Sequence, residues 1–566
     1  AYERVVDRLL TSPHYGERWG RHWLDIVRFA ETNSFERDGL KPNAWRYRDY
    51  VIRSLNDDKP YDLFVREQLH GDEMPEHTPD QLIATGYYRL GLWDDEPADR
   101  VQARYDELDD IVGNVSQVFL GLTVNCARCH DHKIDPITQK DYYSMMAAFH
   151  EITSYGSNGD QPGQSQFTVP GPDNAQNIAS WEAELKDLRE KIASYEEIAR
   201  QRQPESEKQL SDKELVGKKG KQLPPKEAQA LRELRSDARD KRVRDRVANL
   251  LEKPDRERYL AHFKDHEELE RRGANIARAL AVTTTKNPPK THIFARGNPH
   301  VPGAEVEAAI PSLFGGKKLE FTAAKKPEKT TGQRTALADW IVDPNNRLTA
   351  RVIANRIWQH HFGRGIVRSP NNFGMLGTPP THPELLDWLA GELINGGWRF
   401  KSLHRTIMLS NAYRMSSEAN PAALASDPDN DLFWRFDLRR LSGEELRDTL
   451  YTITGEFNPE MFGPGIYPTI SKEVLAGQSV PGKGWGKSDA KEQARRSIYI
   501  HVKRSLVTPL LSTFDFPETD ASCEARFVTT QPGQMLSLMN GEFAHERAAK
   551  LAERAVKEAG DDLAKQ

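Results

Sequence analysis

Apolar residues near the start of the chain fall on helical spacing. In RWGRHWLDIVRFAE, Trp19, Trp23, Ile26 and Val27 recur at i, i+4, i+7 and i+8, which lines one face of a helix. AYERVVDRLL, YRDYVIRSLN and YDLFVREQL are amphipathic in the same way, and the polar breaks NDDKP and WDDEP, each ending in proline, separate segments. Residues 1–155 are therefore expected to form a compact helical domain.

Residues 156–178 are rich in Gly, Ser, Pro and Gln and read as a loop. Over residues 179–278 the pattern becomes strongly charged and helix-prone. WEAELKDLREKIASYEEIA and ALRELRSDARDKRVRDRVANLL, joined by a Lys-rich connector around 208–226, suggest a long antiparallel helical hairpin. Its mixed charge signs describe a solvated helical face rather than a basic arm for nucleic acid. Residues 279–334 carry short β-prone pieces (AVTTT, THIFARG) among prolines and glycines, which suggests a small sheet. Helical patterns return over 335–566, in TALADWIVD, RLTARVIANRIWQHHFG, HPELLDWLAGELIN and KSLHRTIMLSNAYR. A Gly-rich loop and a strand-like RRSIYIHVKRS then precede further helix from Gln534. The fold class read from this pattern is mainly α with a minor β part.

Composition narrows the picture modestly. The 566 residues are 37% hydrophobic and 29% charged, with a net charge of −5. Neither nucleic acid nor an anionic membrane is indicated as a partner. No apolar run approaches the roughly 18–20 residues that span a bilayer. Three cysteines, Cys126, Cys129 and Cys523, are too few for a disulfide framework.

The chemistry is concentrated in TVNCARCHDHKIDP. Cys126, Cys129 and His130 form C-x-x-C-H, the pattern that attaches a c-type haem: two thiols reach the two vinyl positions of one porphyrin, and the histidine ligates the iron. Zinc on Cys126, Cys129, His130 and His132 is a weaker reading, since zinc pairs favour H-x₃₋₅-H. A redox dithiol would need a βαβ setting that the pattern lacks, and chance occurrence is improbable with three cysteines. Candidates for the sixth iron ligand are Met145, Met146 and His150 downstream, and His14 and His22 upstream; an open position is the alternative. Asp131 and Asp135 are expected to orient the ligand ring and pair charges nearby. Cys523 is expected to be an inert buried thiol. Trp19, Trp23, Trp45 and Trp93 read first as packing residues, with porphyrin shielding or sugar stacking as the functional alternative.

In the second half, Thr381 is expected to cap the helix after THPE, with Glu384 completing a capping box. The sharper alternative places His382 and Glu384 beside Arg356 and His361 in a polar cleft. Arg356, His360 and Arg364 share one helical face, which is expected to be solvated, although it could bind haem propionates or a sulfated sugar. No nucleotide loop or G-x-S-x-G elbow occurs.

Taken together, SPHYGERWGRHWLDIVRFAET, WRYRDYVIRSLNDDKPYDLFVREQL and GLTVNCARCHDHKIDPITQKDYY resemble the planctomycete cytochrome C-like domain family. ADWIVDPNNRLTARVIANRIWQHHFGRGIVRSPNNFG, PTHPELLDWLA, RRLSGEELRD and FDFPETDASCEARFVTTQPGQMLSLMNGEF resemble its companion planctomycete domain of unknown function. His70 departs from the small residue usual there, which leaves open an extra contact to the haem. The resemblance implies a secreted protein, often preceded by a further cytochrome-like module, in genomes rich in polysaccharide utilisation. It implies no particular reaction.

The expectations are then a periplasmic or secreted protein holding one covalent haem c. Because haem c is attached outside the cytoplasm and no signal peptide is visible, an export signal is expected upstream of Ala1. The primary reading is electron transfer to or from a redox partner protein or an upstream cytochrome module. A haem-dependent oxidoreductase acting on peroxide, oxygen or a carbohydrate-derived substrate is the alternative. A surface-binding scaffold with a structural haem is the third, with a polysaccharide as a further candidate partner.

Overall fold

The computed structural model describes residues 1–560 apart from 36, 76–77, 154–165, 170, 203–243, 246, 275, 321–329 and 479. Helices dominate, as the periodicity predicts. The chain forms two compact units, one of residues 1–167 with 278–566 and the other of 168–277.

The first unit begins with α1 (Tyr2–Leu10), α2 (Tyr15–Ile26), α3 (Trp45–Asn56) and α4 (Tyr61–His70). Trp23, Ile26 and Val27 are buried, as their spacing requires. α2 and α3 approach closely because of glycine: a Cβ on Gly16 would lie 2.3 Å from the Ile52 carbonyl oxygen. α5 (Arg100–Val115) and α6 (Gln139–Ala147) flank the C-x-x-C-H segment. Asp99 caps α5, and Thr138 with Asp141 forms a capping box on α6.

Strands are short and paired in twos. Ile152–Thr153 pairs with Thr283–Thr284, Gln166–Thr168 with Arg278–Leu280, and Thr291–Phe294 with Pro302–Val306. RRSIYIHVKRS is not the strand its β-branched residues suggest. It forms a 3₁₀ turn, Ser497–Tyr499, flanked by isolated bridges from Ile500 to Ile466 and from Lys503 to Leu506. Its backbone is used piecemeal: the Ile466 amide donates to Tyr499, and the Glu31 amide to Val502.

The second unit contains α7 (Pro172–Gln201) and α8 (Lys253–Arg272). They run antiparallel: Trp181 Nε1 donates to the Leu269 carbonyl (3.0 Å), while Arg202 pairs with Glu252 (3.2 Å). Ile192, Ala199, Ala248, Leu251 and Tyr259 form the buried seam. Two expectations change here. Residues 172–178 belong to α7 rather than to a loop, since Pro172 suits the first helical position. The described partner of α7 is α8; most of ALRELRSDARDKRVRDRVANLL and the 208–226 connector lie outside the described residues.

The C-terminal helices of the first unit include α9 (Gln333–Ile341), α10 (Arg347–Phe362), α11 (Pro383–Asn395), α12 (Phe400–Leu409), α13 (Gly443–Thr454) and α14 (Glu542–Ala559). They are welded to the N-terminal ones by buried arginines. Arg334 is fully buried; its Nη1 and Nη2 donate to Asp72 at 2.7 and 2.8 Å and its Nε to Glu151 at 2.8 Å, with Glu73 at 3.2 Å. Arg356 is likewise buried and donates to the carbonyls of Gln117 and Val118 and to Asn371. The Arg356–His360–Arg364 face is therefore closed off at Arg356, while His360 and Arg364 are half-buried. Its first arginine adds hydrogen bonds to the Gln117 and Val118 carbonyls of the π-turn Ser116–Leu120 that ends α5. The expected capping box at Thr381 is also absent. His382 is the N-cap residue, without a side-chain cap, and Thr381 Oγ1 turns back to the Ile366 carbonyl.

Candidate functional site

The C-x-x-C-H segment is an exposed loop on a fixed base. The π-turn closes at Gly121, whose φ of +62° is a left-handed conformation that glycine adopts without strain. A Cβ there would lie 2.8 Å from the Phe373 ring and 2.9 Å from Val352. The 3₁₀ turn Val124–Ala127 follows, with Val124 and Ala127 buried as anchors. Cys126, Cys129 and His130 all face solvent, and both thiols are free.

Contacts around them hold the loop and leave its reactive atoms accessible. The Arg128 carbonyl accepts from Gln139 Nε2 (2.9 Å) and Tyr143 Oη (3.1 Å), and Arg128 pairs with Asp106 at 2.7 Å. Gly297 sits against Cys129, where a Cβ would lie 2.9 Å from Sγ. His130 Nδ1 lies 2.6 Å from the Asp131 carbonyl, which fixes the tautomer with the lone pair on Nε2. His132 is spent on structure. Its Nδ1 accepts from the Asp135 amide (2.8 Å) and its Nε2 contacts Thr123 Oγ1 (3.2 Å), so the four-residue zinc set is not formed. Asp135 is buried and holds the Met375 amide (2.7 Å), a loop-bracing role; the carbonyl of Asp131 is what orients the His130 ring.

The five candidates for a sixth ligand are scattered. Met145 and Met146 are buried in the core on α6. His150 is buried against Thr291, with Nδ1 2.7 Å from its hydroxyl. His14 pairs with Glu17 at 2.7 Å, and His22 stacks on His360. His70, the departure from the resembled pattern, is buried beside Thr335 in the Arg334 cluster; burial pushes its imidazole down to about 4. It makes a packing contact in place of a haem contact.

A second site was not visible in the sequence. A cavity of about 490 Å³ opens in the first unit, within the range of small-molecule sites. SPHYGERWGRHWLDIVRFAET, the α10 stretch, RRLSGEELRD and FDFPETDASCEARFVTT supply all of its lining except Thr449, Thr452, Arg496 and Ile498. Charged side chains dominate and neutralise one another. Arg526 Nε donates to Asp25 (2.7 Å) while its Nη1 and Nη2 hold Glu444 (2.9 and 2.8 Å). Arg21 pairs with Asp25 (2.8 Å), Arg18 and Arg439 share Glu445 (3.0 and 3.2 Å), Arg440 meets Asp515 (2.6 Å) and Arg496 meets Glu17 (2.8 Å). Burial favours a neutral Glu444, but the Arg526 charge outweighs it and holds the carboxyl at about 2. The Cys523 thiol, expected to be buried, is half-buried at the cavity wall, and burial beside Asp25 pushes it up to about 11.

Two imidazoles line this cavity in the neutral form. His22 and His360 stack with ring centres 3.7 Å apart. Burial, reinforced by His360 and Arg18, holds His22 well below its ordinary value, and burial with Arg18 and Arg356 holds His360 at about 3. Trp19 packs on both rings and on His361 and His404. It belongs to this histidine cluster, whereas Trp23 is a core residue and Trp45 stacks under Arg46. His382 packs against Phe433 away from this cavity, so the proposed cleft of His382 and Glu384 with Arg356 and His361 does not form.

Comparison with known proteins agrees with this division. Residues 1–154 match the family model described as PSCyt2, a protein of unknown function (DUF1549). Residues 333–566 match the one described as PSD1, a protein of unknown function (DUF1553). No curated protein and no solved structure matches the chain. The cavity draws its lining from both matched segments.

Proposed function

We propose that this chain is an extracytoplasmic monohaem c-type protein whose haem is carried by Cys126, Cys129 and His130 and serves electron transfer. One observation carries the reading: two free thiols and an imidazole with an available Nε2 stand exposed together, on a loop braced by Gln139, Tyr143 and Asp106. The residues present fit the group. Both sulfurs are open to the vinyl positions, and the Asp131 carbonyl sets the tautomer that iron ligation needs. Bound there, a haem c supplies one-electron ferric–ferrous chemistry.

The chain's own contribution is to hold the donors in place. Val124 and Ala127 pin the loop from beneath, Gln139 and Tyr143 fix the backbone between the cysteines, and Asp135 ties the neighbouring turn to residues 374–375. An exposed attachment loop suits exchange with a redox partner protein or an upstream cytochrome module. A pyridine haemochrome assay on protein matured in the periplasm is expected to give one haem per chain; its absence overturns the reading.

The cavity favours a second reading, a haem-dependent oxidoreductase acting on a bound substrate. A carrier needs no recess of about 490 Å³ lined by neutral imidazoles. Carbon monoxide separates the two readings. A reduced spectrum that it leaves unchanged supports the carrier, and one that it shifts supports the enzyme.

A further inference from the structure

We propose that the cavity between α2, α10 and α13 binds an uncharged, hydroxyl-rich ligand of the saccharide class, with His22, His360 and Gln359 as hydrogen-bonding residues and Phe527 as its stacking surface. The inference is independent of the haem, and its test reads binding alone.

Charge balance argues first. Every arginine lining the cavity is already within ion-pair distance of a carboxylate, and Glu445 serves Arg18 and Arg439 together. An anionic ligand would meet a wall whose seven carboxylates already outnumber its six guanidinium groups, so it gains no net attraction there. A hydroxyl does not depend on net charge. It donates to a carboxylate lone pair and accepts from a guanidinium N–H while the ion pair stays intact.

Unsatisfied neutral groups argue second. His22 and His360 are held in place by ring stacking, and among the described residues neither ring has a hydrogen-bond partner. Gln359 is 6% exposed; its Nε2 donates to the Glu524 carbonyl (3.0 Å), whereas its buried Oε1 has no partner. Buried polar atoms are rarely left so. A neutral imidazole offers one donor and one acceptor, and the amide oxygen a further acceptor, which is the mixed pattern a ring of hydroxyls satisfies.

The apolar part argues third. Phe527 is 86% exposed and Val528 is 59% exposed at the cavity wall, which leaves the Phe527 ring free for contact. A flat aromatic ring beside charged hydrogen-bonding pairs matches a pyranose, which presents C–H groups on its faces and hydroxyls around its edge.

Calorimetric titration of the full chain with cellobiose, maltose, lactose and xylobiose, and with glucuronate and glucose 6-sulfate, tests this. At least one uncharged disaccharide is expected to bind saturably below roughly 10 mM, at least about tenfold tighter than either anion. Phe527→Ala and Gln359→Leu are each expected to weaken that binding by about tenfold or more. Circular dichroism and the urea midpoint check that both variants remain folded, and His292→Ala, outside the cavity, should bind as wild type. Tighter binding of an anion, no binding by any of the four disaccharides, or full affinity in both folded variants overturns the proposal. Haem content does not enter any of these outcomes, so failure here leaves the haem reading untouched.

Discussion

Around the cavity, charged side chains are paired with one another, Arg526 and Arg496 with partners far away in the chain; along the Cys126–His130 loop, the reactive groups are exposed. Arg526 reaches Asp25 across 501 positions, whereas His130 is oriented by the adjacent Asp131 carbonyl. The ion pairs of the cavity wall are part of the packed interior, whereas the exposed groups of the loop are not, although distant residues brace its base. Damage to the two regions should therefore look different: loss of fold in one, loss of cofactor with the fold retained in the other.

The sharpest separation is expected from Cys126→Ser combined with Cys129→Ser. Covalent haem should disappear entirely from a denaturing gel stained for peroxidase activity, while the urea midpoint of haem-free protein stays at the wild-type value. A large fall in that midpoint would mean that the loop is as integral as the cavity wall.

Arg526→Leu should do the reverse. It leaves Glu444 buried without its cation and Asp25 with Arg21 alone, a loss of about 3–5 kcal/mol by urea denaturation. A loss near zero would show that water compensates these carboxylates and that the wall is not rigid.

Acid should act on the cavity first. Glu444 is held at about 2 against an ordinary 4.5, so its pairing stabilises the fold fully above about pH 5 and is lost as pH falls toward 2, at a stake of roughly 3 kcal/mol. His360 and His361, lowered to about 3 and about 4 chiefly by burial, resist protonation in the folded state. The unfolded chain takes up those protons below about pH 6.5, and stability falls from there. Urea midpoints from pH 7 to 3 should decline steadily, and Glu444→Gln should flatten the lower part of the curve. A flat wild-type profile contradicts this.

The smallest contrast is between two helix caps. Ser442 closes a capping box at the cavity and Thr138 closes another behind the Cys126–His130 loop. Each should cost about 1 kcal/mol when changed to alanine. Calorimetry should show weakened disaccharide binding only for Ser442→Ala.

What the sequence made legible follows the same divide. RLTARVIANRIWQHHFG reads as a helix because local spacing decides it, and α10 occupies that stretch. C-x-x-C-H reads as a unit because its residues are contiguous. The cavity was hidden because its wall is assembled from five separated stretches, whose arginines and carboxylates resemble a solvated surface. The capping box expected at Thr381 failed because Pro383 begins the helix one residue later than the spacing suggests and moves the cap to His382. His360 is the instructive case. A histidine on a charged-looking helical face gave no sign of burial, and only contact with Trp19 and His22 from α2 reveals it.

Arg334 sets a clock on synthesis. Its carboxylate partner Asp72 is made 262 positions earlier, and Glu73 and Glu151 also precede it by far. At roughly 5–20 residues per second, three acids destined for the interior wait about 13–50 s or less for their cation. Through that interval the N-terminal segment carries their repulsion, and Val352 and Phe373, which pack on Gly121 beneath the Cys126–Cys129 loop, are likewise still to come.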